Sequence, residues 1–217
     1  MVKSIGRALC LMATPVMAES PYVAGAMGGV STLSAEASSS ISGRSAALSQ
    51  YQPDNGPLVQ VFGGIHLRDY LSVESNWTWN RNDLAITYLD ATATYYRQGR
   101  NSRQHSLAAD LLVYFRQRES WVRPFLSVGG GVVWFESHAR PTMEVRGSPA
   151  LPPAGVRSSG PALRVAVGMD VVVRRGWFVR YSFCETMSRN PIGAVLTPPG
   201  GRNLANFQNL FGVGKSF

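Results

Sequence analysis

The sequence predicts an all-β protein, an eight-stranded antiparallel up-and-down β-barrel that crosses a membrane. Three observations support this class: an export signal at the N-terminus, strands in which apolar and polar residues alternate, and connections that are alternately short and long. Strands of about ten alternating residues, joined by short turns at one end and long loops at the other, are typical of transmembrane barrels.

The first element, residues 1–18, has the features of a cleaved signal peptide. Lys3 and Arg7 form a basic n-region, the stretch ALCLMATPVM forms a short apolar h-region, and small residues stand at positions −3 and −1 before a cleavage after Ala18. A membrane anchor is the alternative, but the apolar run is shorter than the roughly 20 residues that a spanning helix needs. Cleavage leaves residues 19–217 as a single barrel domain.

Charge and cysteine content limit the chemistry of the exported chain. Cleavage removes two of the 21 basic residues and none of the 13 acidic ones, so the mature charge is 19 − 13 = +6. Cys10 leaves with the signal, and Cys184 alone cannot form an internal disulfide. We expect no nucleic-acid partner, because of the compartment. The sequence has neither a metal-ligand cluster nor a phosphate-binding glycine loop, so we predict no metal and no cofactor.

Eight stretches carry the period-two pattern of a strand. In residues 162–174, ALRVAVGMDVVVR, Leu163 and Val165 share one face, whereas Arg164 and Asp170 share the other. A period of two over thirteen residues is a strong strand signal. In chain order the eight stretches are YVAGAMGGVS (22–31), PLVQVFGGIHL (57–67), LSVESNWTW (71–79), LAADLLVYFR (107–116), RPFLSVGGGVVW (123–134), ALRVAVGMDVVVR (162–174), WFVRYSFC (177–184) and FQNLFGVGKSF (207–217).

The connections alternate in length, as an up-and-down barrel requires. The three short connections are predicted hairpin turns, and the four long ones, rich in Ser, Gly, Pro, Asn and Arg, are predicted loops. The short ones are RDY (68–70), QRES (117–120) and RRG (174–176), and the long ones span 31–57, 81–104, 137–160 and 187–205. The glycine triplet 129–131 lies inside a strand and is expected to ease curvature or close interior packing.

The charged face of the strands distinguishes a membrane barrel from a soluble one. A soluble sandwich or lipocalin-like barrel turns its apolar face inward, and its polar face meets water. Here we expect the apolar face to meet lipid and the charged face to form a network of ion pairs in the lumen, since eight strands leave room for little more than side chains. Cys184 is expected to be a small lumenal filler. The predicted lumen network comprises Glu74, Asp110, Asp170, Arg116, Arg123, Arg164 and Arg180.

The tryptophans support the same interpretation. Trp121 and Trp177 fall beside predicted turns, whereas Trp77, Trp79 and Trp134 lie toward the opposite strand ends. Trp134 lies thirteen positions after Trp121, which corresponds to roughly 30 Å along the membrane normal for a strand tilted by about 45°. The sequence therefore predicts two aromatic girdles one bilayer apart.

Two stretches also resemble a known family. The segment HLRDYLSVESNWTWN, residues 66–80, resembles the second hairpin of OmpA-type outer-membrane barrels, and FQNLFGVGKSF resembles the last strand of outer-membrane proteins generally. The resemblance covers essentially the whole mature chain and implies location in the outer membrane of a Gram-negative-type bacterium. It implies that the barrel assembly machinery recognises the C-terminal pattern, of which Lys215 and Asn209 are departures. Since the chain ends with the barrel, a peptidoglycan-binding domain is not expected. The residues that match the pattern are Phe207, Phe211, Val213 and Phe217.

Several functions suit such a barrel. The first is a structural or surface-interaction protein, expected to be a monomer, whose four long extracellular loops contact lipopolysaccharide, because arginine pairs well with phosphate. The second is a narrow pore for small solutes. The third is a lipid-modifying enzyme that would use His66, His105 or His138, although none has an evident catalytic partner. The arginines considered for polyanion contact are Arg97, Arg100, Arg103, Arg140 and Arg146.

Overall fold

The computed structural model describes residues 21–34, 37–41, 46–196, 198–199 and 203–217. The predicted signal peptide lies outside these residues. Within them the chain forms ten strands and one short 3-10 helix. In chain order these are β1 (Tyr22–Leu33), β2 (Ala37–Ile41), β3 (Ala47–Pro53), β4 (Gly56–Arg68), β5 (Leu71–Asp90), β6 (Tyr95–Tyr114), β7 (Val122–Arg146), β8 (Gly155–Arg174), β9 (Trp177–Arg189), the 3-10 helix (Gly193–Val195) and β10 (Asn203–Ser216).

Eight of these strands form a closed antiparallel ring. Strand β1 pairs with β4 on one side and with β10 on the other, and each strand from β4 to β10 pairs with the next along the chain. The predicted eight-stranded barrel is confirmed. Ring closure satisfies the backbone hydrogen bonds of every wall strand, which a lipid environment demands. The described residues include no helix with the length and hydropathy needed to cross a membrane.

The wall strands alternate apolar side chains outside with polar side chains inside. On β6, Leu107 and Leu111 are 48% and 40% exposed, whereas Asp110 beside them is 3% exposed. On β8, Val165 is exposed while Arg164 is buried. The charges therefore lie in the lumen and the apolar side chains form the outer surface, which is the arrangement of a membrane barrel.

The ring has a short-turn end and a long-connection end. At the short-turn end the strands meet through tight turns, including Arg174–Gly176, where Arg175 and Gly176 adopt positive φ angles of 49° and 79°. At the long-connection end, the prediction that residues 81–104 and 137–160 form loops is wrong. Strands β5 and β6 each run for 20 residues and β7 for 25, so most of those residues extend the wall.

The extension beyond the ring has its own apolar core. Here the alternation is inverted, because side chains such as Leu84 and Ile86 point inward while Arg81 and Asp83 lie on the outside. The inward side chains bury their apolar surface against one another rather than against lipid, and this packing stabilises the strands beyond the bilayer. The buried members of this core are Leu33, Tyr51, Leu84, Ile86, Tyr96, Phe135, Val156, Ile192, Leu196 and Leu204.

One side of the extension is closed by the segment 190–196, which we call the strap. Residues 155–161 of β8 pair with β7, whereas pairing with β9 begins only at Ala162. The strap lies across this side and buries Ile192 and Leu196 in the apolar core. The Asn190 side-chain oxygen accepts hydrogen bonds from the backbone N–H groups of Ile192 and Gly193 (3.1 and 2.9 Å), which shapes the strap.

A hairpin in the first long connection completes the wall. Strand β3 pairs with β5 from Ala47–Asp90 to Pro53–Leu84, directly above the region where β4 pairs with the same strand. Strand β2 pairs with β3. The Ser49 hydroxyl donates to the Pro198 carbonyl oxygen (2.7 Å), so this hairpin is also joined to the connection that contains the strap.

Candidate functional site

The lumen contains a layer of buried ion pairs near the short-turn end. Arg180 donates to both carboxylate oxygens of Glu74 (2.7 and 3.0 Å) and to both of Asp170 (2.6 and 2.8 Å). The Tyr114 hydroxyl donates to Asp170 as well (3.0 Å). One guanidinium thus neutralises a carboxylate on the adjacent strand β8 and a second carboxylate on β5, directly across the ring.

A second ion pair lies in the same layer. Arg164 donates to Asp110 (2.6 Å) and to the Gln60 side-chain oxygen (2.7 Å), and its Nε lies 2.9 Å from the Cys184 sulfur. Cys184 is buried, so this thiol fills space beside a guanidinium. Asn76 donates to Asp110 (3.0 Å) and accepts from Gln60 (2.8 Å), which links the pair to the neutral polar side chains above it.

The remaining arginines of the predicted lumen network differ in position. Arg123 is buried in the lumen, where it stacks over the Tyr114 ring at 3.8 Å. Arg116 is exposed outside the lumen, and its assignment to the network is corrected. The alternating pattern predicts a strand through residue 116, but β6 ends at Tyr114 and the chain turns there.

Above the ion pairs the lumen is filled by amide and hydroxyl side chains. The Ser31 hydroxyl donates to Asn206 (2.7 Å), and Asn206 donates to Gln104 (3.1 Å). Asn80 donates to Asn82 (2.6 Å), which donates in turn to the Ser31 carbonyl oxygen. Every one of these side chains is buried, so the interior between the ion pairs and the apolar core is occupied by protein atoms.

Arg100 lies inside the extension, which corrects its predicted role as an exposed polyanion contact. Its side chain is fully buried and donates to the side chains of Gln98 and Ser137 and to the carbonyl oxygens of Ser137, Pro153 and Ala154 at 2.8–3.3 Å. Arg100 shares the inward face of β6 with Gln98. Burial lowers the pKa of this guanidinium below its ordinary value.

Replacing Arg100 with methionine is expected to loosen the connection between β7 and β8. The change keeps an apolar stem but removes the donor of the Pro153 carbonyl oxygen and leaves the Ala154 carbonyl oxygen with only the Ala139 backbone N–H, at a cost of about 1–3 kcal/mol. Amide hydrogen exchange in residues 138–155 should accelerate by roughly tenfold or more. The exposed Arg97→Met variant on the same strand is the control, and equal exchange in both variants would contradict the account.

A row of four charged residues crosses the outer wall of the extension. The strand register places Arg81 opposite Arg103, Arg103 opposite Glu136, and Glu136 opposite Arg157, on β5, β6, β7 and β8 respectively. Arg81, Arg103 and Arg157 are exposed and Glu136 is partly exposed. We call these four residues the charged row.

An aromatic row lies two residues below the charged row on the same face. Trp79 lies opposite His105, and His105 lies opposite Trp134. The His105 imidazole also contacts the Trp77 ring, with 6.0 Å between centroids. The next row down is apolar and faces lipid, with Trp77, Leu107, Val132 and Pro161 in register.

The single acid of the charged row is already paired. Arg157 donates to the Glu136 carboxylate through Nε and Nη2 (2.8 and 2.6 Å), and His138 donates from Nε2 to the same oxygen (3.0 Å). Hydrogen bonds from His138 and Arg157 hold the pKa of Glu136 below its ordinary value. With three arginines and one glutamate, the row carries a formal charge of 3 − 1 = +2.

A cleft of about 440 Å³ opens beside the aromatic and charged rows. Its lining combines aromatic side chains with polar and charged ones, so it can accept a molecule with an apolar part and an anionic part. The lining residues are His105, Trp134, Phe135, Glu136, Arg157, Ser158 and Ser159.

The other predicted contact arginines lie farther from the bilayer. Arg140 is exposed, donates to Asn101 (2.7 Å) and forms an ion pair with Asp83. Arg97 and Arg146 are exposed near the ends of β6 and β7. Arg81 and Arg157 belong to the long connections whose arginines are expected to contact phosphate, but they are not among the five arginines selected as contact residues. Arg81 could have been identified from the sequence, because it follows the girdle residue Trp79 by two positions. In a strand it therefore lies on the same face, just above that tryptophan.

The aromatic girdles and the apolar outer wall between them define an integral outer-membrane barrel with a filled lumen. Trp121 and Trp177 at the short-turn end are 69% and 51% exposed, and Trp77 and Trp134 at the other end are 42% and 45% exposed. In barrels of this class the short turns face the periplasm and the long connections face the exterior.

Comparisons with known proteins agree with this class. A model of the outer membrane protein beta-barrel domain family matches residues 7–214, and the chain belongs to this family. Neisserial surface protein A shares 13% sequence identity and a TM-score of 0.57, over 91% of this chain and 98% of its own. OprG from Pseudomonas aeruginosa shares 12% identity and a TM-score of 0.53, over 92% and 97%. No curated protein matches the sequence.

Proposed function

We propose that the protein is a surface-interaction barrel that binds the phosphorylated headgroup of lipopolysaccharide along its charged row. The observation that carries this proposal is the order of the three rows on the outer wall, apolar, then aromatic, then cationic. That order matches the order of acyl chain, interface and phosphate in an outer-leaflet lipid.

The height of the charged row supports this assignment. Trp79 and Arg81 are two residues apart, which is about 5 Å along the membrane normal for a strand tilted by about 45°. Girdle aromatics lie at the boundary between hydrocarbon and headgroups. The arginines of the charged row therefore lie at headgroup level, where arginine forks bind phosphate oxygens well.

The length of the charged row also suits a large headgroup. Four neighbouring strands, about 4.8 Å apart, place its ends roughly 14 Å from each other. The disaccharide of lipid A carries phosphate groups at its two ends and can lie across such a row. The neighbouring cleft offers Trp134 to an acyl chain and the hydroxyl of Ser159, which is in register with Trp134 on the outer face, to the sugar.

The filled lumen argues against the alternative of a narrow pore. The ion-pair layer, the amide layer and the apolar core follow one another along the barrel axis, and the described side chains of all three are buried. Of the three histidines of the enzymatic alternative, His66 lies 2.6 Å from the Ser72 hydroxyl, but both side chains are buried in the lumen, away from the lipid-facing wall. His138 donates to the Glu136 carboxylate instead.

Removing the charge of the row should reduce lipopolysaccharide binding. We expect the triple variant Arg81→Gln, Arg103→Gln, Arg157→Gln to retain about tenfold less lipid A phosphate per purified barrel, since each lost fork removes a charge-assisted bond. The matched control is Arg68→Gln, Arg116→Gln, Arg174→Gln, an equal charge change among exposed residues at the periplasmic end. Equal retention by the two triple variants would overturn the proposal.

Other roles inferred from the sequence stay predictions. The C-terminal pattern lies on the outer wall, with Phe211, Val213 and Phe217 exposed and Phe207 stacked on Phe183. Its recognition by the barrel assembly machinery, the monomeric state, and contacts of Arg97, Arg140 and Arg146 with more distant parts of lipopolysaccharide belong to this proposal.

A further inference from the structure

A second cavity lies at the periplasmic mouth of the lumen, remote from the charged row. It has a volume of about 280 Å³, well above the roughly 30 Å³ that one water molecule occupies in the liquid. Turn residues form its entrance and lumen residues form its floor. The lining residues are His66, Arg118, Glu119, Arg123, Asp170, Val172, Gly176, Phe178 and Ser216.

The floor of this cavity contains a buried cation with unused hydrogen-bonding capacity. Arg123 is 4% exposed, and one of its terminal nitrogens donates to the Asp69 carbonyl oxygen (3.1 Å). Its Nε has no hydrogen-bond partner. Within the described residues, Arg164 and Arg180 each donate to a carboxylate, whereas no such bond joins Arg123 to an acid.

Of the two acids that line the cavity, Glu119 lies on a turn at the entrance, and Asp170, on the wall, is already neutralised. Both oxygens of Asp170 accept from Arg180 (2.6 and 2.8 Å), and one also accepts from Tyr114 (3.0 Å). The remaining polar wall is formed by His66 and Ser216, whose side chains lie 3.2 Å apart. A cation would meet a saturated carboxylate here, whereas an anion would meet the free Nε–H.

The entrance to the cavity attracts anions. The three periplasmic turns and their flanking residues carry five arginines and two acids. Such a rim raises the local concentration of small anions. The arginines are Arg68, Arg116, Arg118, Arg174 and Arg175, and the acids are Asp69 and Glu119.

We propose that the periplasmic mouth is a binding site for a small oxyanion, a phosphate group, held by the Arg123 guanidinium. The phosphate is either a free ion from the periplasm or the headgroup of an inner-leaflet phospholipid that reaches over the rim. The unpaired Nε–H and its neighbouring Nη–H groups present the planar fork that fits two oxygens of such an anion.

Titration of the folded barrel with inorganic phosphate tests this site. In phosphate-free detergent micelles, the ¹⁵N–¹H signal of Arg123 Nε should shift and saturate with phosphate, and it should not move with sodium chloride at equal ionic strength. Arg123→Lys keeps the charge but removes the fork, so we expect at least about tenfold weaker binding, read in this variant from the backbone amide signal of Gly176 in the cavity lining. Arg116→Gln on the exposed rim is the matched control and should change binding less than about twofold.

A variant that does not alter charge keeps the proposal testable if Arg123 proves necessary for folding. Val172→Phe fills the cavity with an apolar ring and should abolish the saturable shift. Nanodiscs of phosphatidylglycerol without added phosphate identify the source, since a shifted signal there assigns the headgroup and an unshifted one assigns the free ion. A shift that does not saturate, or that falls equally in Arg116→Gln, reflects diffuse attraction to the rim and overturns the proposal.

Discussion

Replacing Arg180 with methionine is expected to lower the free energy of unfolding by about 3–5 kcal/mol, because it leaves Glu74 and Asp170 buried without their shared cation. Methionine retains most of the side-chain volume, so the Phe62 and Phe178 rings that lie near the guanidinium keep a packing partner. The loss therefore reports on charge rather than on a cavity.

Denaturant unfolding in micelles, followed by tryptophan fluorescence and by heat-modifiable migration on gels, measures this effect. Neutralising both acids as well, in the variant Arg180→Met, Glu74→Gln, Asp170→Asn, should recover most of the loss, since neutral amides are less costly to bury. Arg116→Met, an equal change at an exposed site, should stay within about 0.5 kcal/mol. If Arg180→Met unfolds like Arg116→Met, the ion-pair layer does not stabilise the barrel.

Gly129→Ala should be the second most damaging change, although it adds one methyl group. The register aligns Asp110, Gly129 and Arg164 on adjacent strands, so the Asp110–Arg164 ion pair passes over Gly129. A Cβ atom there would overlap the Asp110 carboxylate and the Ala109 carbonyl oxygen and would lie 2.8 Å from Asp110 Cα. We expect a loss of about 2–4 kcal/mol, from overpacking and from separation of the ion pair.

The neighbouring glycine supplies a matched control for this prediction. Gly130 faces outward, and a Cβ there would lie 3.5 Å from the Ala162 carbonyl oxygen, an ordinary contact. Gly130→Ala should therefore change the unfolding free energy by less than about 0.5 kcal/mol. Equal losses in the two variants would show that strand flexibility, rather than the crossing ion pair, requires glycine in this segment.

The barrel could be predicted from sequence because lipid requires the same alternation on every wall strand, with apolar residues outside and polar residues inside. Outward residues such as Leu163 and Val165 must be apolar, whereas Arg164 between them points into the lumen. This constraint fixes the face of each residue without knowledge of its partners. The buried positions of Glu74 and Asp170 follow from parity alone.

Beyond the bilayer this constraint no longer applies, and the secondary-structure and site predictions for the residues there are less accurate. In residues 81–104 charged and polar residues replace the apolar stripe, which predicts a loop. The strand nevertheless continues with the same residues facing inward, and these inward positions are now apolar, as at Leu84 and Ile86. Arg100 likewise keeps an inward position on β6, and its neutral carbonyl partners come from a connection distant in sequence. Arg116 was misplaced for a different reason, since no pattern marks where β6 ends.

The charged row was only partly predicted, because its identity depends on register between strands. Arg103 is one of the predicted contact residues. Arg81 becomes its neighbour because β5 pairs with β6, and Arg157 joins the row because β7 lies between β6 and β8. Composition alone could not separate these arginines from Arg146, which lies beyond the headgroup level. The strap also lacked a signal, since it has no repeating pattern and gains its place by burying Ile192 and Leu196.

Native mass spectrometry of the refolded barrel, titrated with lipid A and with enzymatically dephosphorylated lipid A, tests the central claim most directly. It needs no change to the protein, so folding defects cannot affect the outcome. We predict discrete adducts of lipid A that are reduced about tenfold or more when the phosphates are removed, because the phosphates supply the charge-assisted bonds to the row. Equal occupancy by the two lipids would contradict phosphate recognition by the charged row.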